Sequence, residues 1–135
     1  MYPFSAQDRF SGLTSVEHGD ITVYEKRTCS TCRNLHTLLT ERGVDFDRVE
    51  YHVEGISQER IRELLAMAAI SAREALRVRE PLVAELDLAR EDITDDEIVP
   101  LMAEHPELLQ RPIVVRGDRA VLARPLERVL ELLDG

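Results

Sequence analysis

The chain has 135 residues, 44% hydrophobic and 32% charged, with a formal net charge of −9, enough for one domain with a real apolar core and no metal or disulfide staple. The acidic balance disfavours generic binding to nucleic acid or an anionic membrane, and the 4% of aromatic residues is too low for a base-stacking surface. With no apolar run near the length of a membrane span and no signal-peptide pattern, we expect a cytoplasmic protein whose two cysteines are catalytic or redox-active rather than structural.

Residues 1–20 show no sustained period and hold Pro3, Gly12 and Gly19 among polar residues, so they read as a mobile N-terminal extension. The ordered domain is expected over 21–135. Ile21–Tyr24 reads as a strand. From Thr31, the recurrence of Leu35, Leu38 and Leu39 predicts a helix to about Arg42, ended by Gly43. Phe46, Val49 and Tyr51 mark a second strand. Ser57 reads as an N-cap before Ile61, Leu64 and Leu65. A short helix is expected near Ala72–Leu76, and another stretch begins at Pro81.

Thr94-Asp95-Asp96-Glu97 has the pattern of a capping box, opening a helix that stops near His105-Pro106. Ile113-Val114-Val115 is a buried-strand signal, Gly117-Asp118 a turn, and Ala120-Val121-Leu122 the hairpin partner. A last amphipathic helix is expected from Pro125, with Leu126, Val129, Leu130 and Leu133 on one face. The order predicts a thioredoxin-like α/β sandwich. Its mixed four-stranded sheet should carry a helical insertion between strands two and three, and its first crossover should be parallel and right-handed.

The chemistry concentrates at Cys29-Ser30-Thr31-Cys32, where the first strand gives way to a helix. A thiol in a helix's first turn faces unpaired backbone N–H groups and the positive end of the helix dipole, which favours its thiolate. Lys26, Arg27 and Arg33 add positive potential. Cys29 should be the exposed thiol and Cys32 the shielded one. Two other readings of the pair are small buried hydrophobes, and half of a zinc site with His36 one turn after Cys32. Arg77, Arg79, Arg111 and Arg124 lie at or near ends of predicted elements. Arg111 precedes a proline and a core strand, a place where a thioredoxin-like sheet, often through a cis proline, approaches the cysteine turn. Its planar, always-charged fork suits a tetrahedral oxyanion.

Cys29-x-x-x-Arg33-Asn34, Ile70-Ser71-x-Arg73-x-x-Leu76-Arg77, His105-Pro106-x-Leu108-Leu109-x-Arg111-Pro112-Ile113-Val114-Val115 and Arg124-Pro125 resemble, in order and spacing, the glutaredoxin-coupled arsenate reductases of the ArsC/Spx-like group. The resemblance implies that Cys29 is a nucleophile attacking arsenate, and that Arg77, Arg111 and Arg124 hold the oxyanion. It further implies that glutathione attacks the adduct and glutaredoxin resolves the mixed disulfide, with no tightly bound cofactor. Two departures stand out. Glu25, Lys26 and Arg27 replace a His and an Asn-Pro of many members, which places Glu25 to oppose the thiolate. Cys32 replaces a non-thiol residue, which permits a disulfide with Cys29 and reduction by thioredoxin or another thiol system. A regulator of the Spx type, contacting RNA polymerase through a redox switch at Cys29 and Cys32, is the rival reading. A general disulfide oxidoreductase is the third.

Overall fold

The computed structural model describes residues 21–133; the expected N-terminal extension lies outside them. Strand β1 (Ile21–Glu25) leads through a short loop into helix α1 (Ser30–Glu41), and β2 (Asp47–Glu50) returns parallel to β1. A helical block follows: α2 (Tyr51–Glu54), α3 (Gln58–Ala68), α4 (Pro81–Glu85) and α5 (Asp95–Glu104). After a 3₁₀ turn at Pro106–Leu108 come β3 (Ile113–Arg116) and β4 (Arg119–Leu122), then a second 3₁₀ turn, Leu126–Val129, and α6 (Leu130–Leu133). The sheet order is β2-β1-β3-β4, with β3 antiparallel to both neighbours. This is the expected thioredoxin-like α/β sandwich with its helical block between strands two and three.

Strand alternation divides the core into two layers. Ile21 and Val23 of β1 and Val114 of β3 pack with Leu35 and Leu39 of α1 and with Val129 and Leu132 near the C-terminus. Tyr24, Ile113 and Val115 turn to the opposite face and meet Ile61, Leu64, Ile98 and Met102 of the helical block. The sheet is thus covered on both sides, and only its strand ends and connecting loops are left to build a site.

Local signals account for most boundaries. The Ser57 side chain accepts a hydrogen bond from the Arg60 backbone N–H at 3.0 Å, and Thr94 and Glu97 form both halves of the capping box. Asp95, Asp96 and Glu97 sit in that helix's first turn, where the helix dipole accounts for them. Gly43, at φ +70°, follows the end of α1, a position that favours glycine. Gly117, at φ +63°, takes the first place of the two-residue β3–β4 connection, as a type II′ turn requires.

Three elements differ from expectation. Tyr51 leaves the second strand and opens α2, because its buried hydroxyl donates to the Leu109 carbonyl at 2.7 Å. Ala72–Leu76 makes one hydrogen-bonded turn, Ala75 N–H to Ser71 O, after which Leu76 bridges to Leu109 in place of a continued helix. The terminal helix is a 3₁₀ turn followed by one α turn, with Pro125 in an extended conformation ahead of it.

Candidate active site at the cysteine turn

Cys29 is the N-cap of α1, with extended backbone (φ −79°, ψ 123°), and its N–H donates to the Lys26 carbonyl at 3.0 Å. The Arg33 side chain steadies the same loop by donating to the Thr28 carbonyl at 3.1 Å. Cys29 is half-buried and Cys32, one turn on, is buried, the division expected from their places on the helix.

Burial pushes the Cys29 thiol up, but opposing influences prevail and its pKa lies below the ordinary thiol value. These are the Cys32 backbone N–H, the Cys32 thiol and the Arg111 guanidinium, which acts through both hydrogen bonding and charge. The N–H of the third helical residue stabilises an N-cap anion in just this way. Cys32 goes the other way. Burial, the neighbouring Cys29 and the charge of Glu25 hold its pKa at about 12, despite help from the Lys26 backbone. The thiolate form is thus favoured at one sulfur and the protonated form at the other beside it.

Arg111 is 5% exposed, and among the described residues its Nε and Nη1 have no hydrogen-bond partner. A buried guanidinium with open donors is costly unless something anionic completes it. The Cys29 thiolate answers part of that demand. The peptides Arg111–Pro112 and Arg124–Pro125 are both cis, and each arginine stands at a strand end.

Arg77 and Arg124 line a concavity with Val78, Arg79 and Gln110. Arg124 Nη1 donates to the Arg111 carbonyl at 2.9 Å, joining that concavity to Arg111, while Arg77 Nε is paired with Glu80 Oε2 at 3.1 Å. The structure thus brings Arg111 to the Cys29 sulfur and gathers Arg77 and Arg124 in one wall, which Arg124 ties to the Arg111 backbone.

Glu25 does not stand free against Cys29. Its fully buried carboxylate accepts from Arg48 Nε at 2.8 Å and pairs with His36 Nε2. This triad clasps β1, α1 and β2 together behind the cysteine turn. His36 is thereby committed to Glu25, and no cluster of three or more His, Cys, Asp or Glu side chains suited to a metal forms among the described residues.

Sequence reasoning missed three residues. Tyr51 lies within the electrostatic reach of Arg111, Cys32 and Cys29, and burial raises its phenol. His52 stacks against it with ring centroids 4.5 Å apart, and burial together with the charges of Arg111 and Lys26 lowers its pKa to about 4. Gln110 joins the arginine-lined wall. Tyr51 enters the sequence reading only as a strand residue, and neither motif nor periodicity marks His52.

A thioredoxin-like sheet, one activated sulfur at a helix N-terminus and a buried arginine over it define a thiol-chemistry protein built to meet an anion. The chain belongs to the ArsC family, which its residues 24–132 match. Arsenate reductase ArsI2 of Synechocystis is 39% identical over 114 residues, covering 84% of this chain and 81% of that protein. An uncharacterized protein of Escherichia coli, YfgD, is 35% identical and matched over 96% of its length. Among solved structures, an arsenate reductase from Vibrio cholerae superposes with a TM-score of 0.80 at 33% identity, covering 85% of this chain and 98% of that one. No helix among the described residues is long and apolar enough to cross a membrane.

Proposed function

We propose that the protein is a cytoplasmic arsenate reductase in which Cys29 is the nucleophile and Arg77, Arg111 and Arg124 hold the oxyanion. The observation that carries this reading is the pairing of a lowered Cys29 pKa with an under-satisfied, buried Arg111. Names of relatives that share most of this chain support it over a polymerase-binding redox regulator.

The thiolate of Cys29 attacks arsenic(V), forming an S–As bond as one arsenate oxygen departs as water. Negative charge on nucleophile and substrate repel, and Arg111 supplies positive charge where they meet. A second thiolate then attacks the Cys29 sulfur. The S–As bond breaks with its electron pair on arsenic, which becomes arsenic(III) and leaves as arsenite, and the two sulfurs are oxidised to a disulfide. The second sulfur comes from glutathione, whose mixed disulfide glutaredoxin would clear, or from Cys32, whose disulfide thioredoxin would reduce. The place of Cys32 one turn from Cys29 supports the internal route; its thiol must first give up its proton, which becomes easier once Cys29 is bonded to arsenic and its charge no longer opposes Cys32.

An arsenate-dependent NADPH-oxidation assay with glutaredoxin-linked and thioredoxin-linked electron supply, run on wild type and Cys32→Ser, tests both parts. Turnover that survives Cys32→Ser only with glutathione and glutaredoxin is expected if both routes operate. Absence of arsenate-dependent oxidation with every donor would overturn the assignment.

A further inference from the structure

The internal route needs Cys32 ionised, yet Cys32 is 1% exposed and its proton has no direct way to water. The groups around it differ in what they can do. The Lys26 backbone N–H donates a hydrogen bond to the sulfur, and the Tyr51 phenol, raised by burial, keeps its own proton. Cys29 shares a hydrogen bond with Cys32, but once bonded to another atom it has no charge left to receive a proton. Glu25 is different. It ends β1 as a fully buried carboxylate, and its charge reaches Cys32. Replacing a buried ion pair with apolar side chains is often neutral or stabilising, so stability alone does not account for a charge in this place. Arg48 of β2 and His36 of α1 each hold the carboxylate. His36 lies one turn after Cys32 on the same helix, so the two side chains share a face. Glu25 therefore meets that face twice, by charge at Cys32 and by a bond at His36. The His36 side chain is 23% exposed, with Phe46 packed on its ring at a centroid distance of 5.1 Å, and it leads from the sealed carboxylate to solvent.

We propose that Glu25 and His36 form a proton relay for Cys32: the carboxylate takes the thiol proton as Cys32 attacks the Cys29 sulfur, and His36 passes it to solvent. In that step the Cys32 S–H bond breaks with its electron pair left on sulfur, and the pair forms the S–S bond. The bond from Cys29 to its leaving group breaks with its pair on the leaving atom. Both sulfurs are oxidised and the leaving atom is reduced, arsenic(V) to arsenic(III) under the proposed function. A carboxylate accepts at about four lone-pair positions, so the bonds to Arg48 and His36 leave room for the thiol proton. Taking that proton neutralises Glu25, and the charge that opposed ionisation of Cys32 vanishes in the same event. The inference rests on Cys32 as the resolving sulfur of the internal route, and on no property of arsenate.

The test mixes the reduced full chain with excess dithionitrobenzoate, an aryl disulfide, and follows thionitrobenzoate by stopped-flow absorbance. The first release, as Cys29 attacks the reagent, scales with reagent concentration. The second, as Cys32 attacks the mixed disulfide on Cys29, does not. Glu25→Gln separates two roles by sign. If Glu25 only opposes ionisation of Cys32, its removal speeds the second release at pH 7. As proton acceptor its loss alone slows that release by about 10²-fold, and easier ionisation of Cys32 recovers part, leaving roughly tenfold. The gap should close at high pH, where hydroxide takes the proton. His36→Gln, at a partly exposed position, keeps a hydrogen-bonding side chain but no shuttle. It should slow the second release by about threefold or more, with added imidazole restoring it. The first release should stay within about twofold of wild type in both variants, since it follows the Cys29 thiolate. A second release unchanged or faster in either folded variant, or equal slowing of both releases, overturns the relay even if arsenate turnover stands. Selective slowing in a protein that forms no arsenite would sink the reductase reading and leave the relay.

Discussion

Arg124 reaches from the exit of β4 to the backbone of Arg111, donating from Nη1 to its carbonyl at 2.9 Å. One arginine thereby fixes the loop that carries the other over Cys29. Arg124 braces Arg111, and under the proposed function it also contacts the anion.

Two substitutions separate those duties. Arg111→Lys keeps a charge but loses the fork, and should lower turnover by about 10²-fold. Because Arg111 lowers the Cys29 pKa, its replacement raises that pKa, and the pH profile of Cys29 alkylation moves to higher pH. Arg124→Ala should shift the same profile in the same direction by a smaller amount, since it only loosens Arg111. An unchanged profile would confine Arg124 to substrate contact.

The two thiols should be told apart by reagent. With Cys32 at about 12 and 1% exposed, native protein at pH 8 takes up one equivalent of iodoacetamide, at Cys29. Unfolded protein takes up two. Mass spectrometry counts both, and native labelling of Cys32 would contradict its assigned state.

Behind the site, Arg48→Ala is predicted to destabilise the fold more than Glu25→Gln does. Removing Arg48 leaves the fully buried Glu25 carboxylate with His36 as its remaining side-chain partner, whereas Arg48 and His36 both keep partial access to water when Glu25 is neutralised. Removing one partner of a buried ion pair costs about 3–5 kcal/mol, and the His36 that remains holds the loss toward the lower end. Urea unfolding of the two variants at pH 7 gives the order directly.

His52 makes a pH-dependent contribution whose sign is fixed. Its folded pKa of about 4 lies below the ordinary 6.5, lowered by burial and by the charges of Arg111 and Lys26 against the weaker pull of Glu107 and Glu80. Between those values the unfolded chain binds more protons, so stability is full above about pH 6.5 and lost as pH falls toward 4. His52→Leu should flatten this part of the stability profile, measured by denaturant midpoint against pH.

Much of the sheet was legible in the chain because alternation is local: Ile21–Tyr24 and Ile113–Val115 declare strands buried on both faces. The capping box at Thr94 and the N-cap at Ser57 were legible for the same reason. Tyr51 was not, because the bond that draws it from the strand lies 58 residues away at Leu109. Ala72–Leu76 has helical spacing, but the Leu76–Leu109 bridge, a tertiary contact, outweighs it. At the site, motif spacing led to Cys29 and Arg111. The clasp of Glu25, His36 and Arg48 draws on three separate elements, and nothing along the chain announces it. The stacking of His52 on Tyr51 and the concavity holding Gln110 exist only after folding.

The central claim, that the Cys29 sulfur reduces arsenate, is tested most directly by following arsenite formation by arsenic speciation in wild type and Cys29→Ser under identical thiol supply. The account predicts steady arsenite release from wild type and background release from the variant, whose hydroxyl is not ionised at neutral pH. Arsenite formed by Cys29→Ser at the wild-type rate would contradict it.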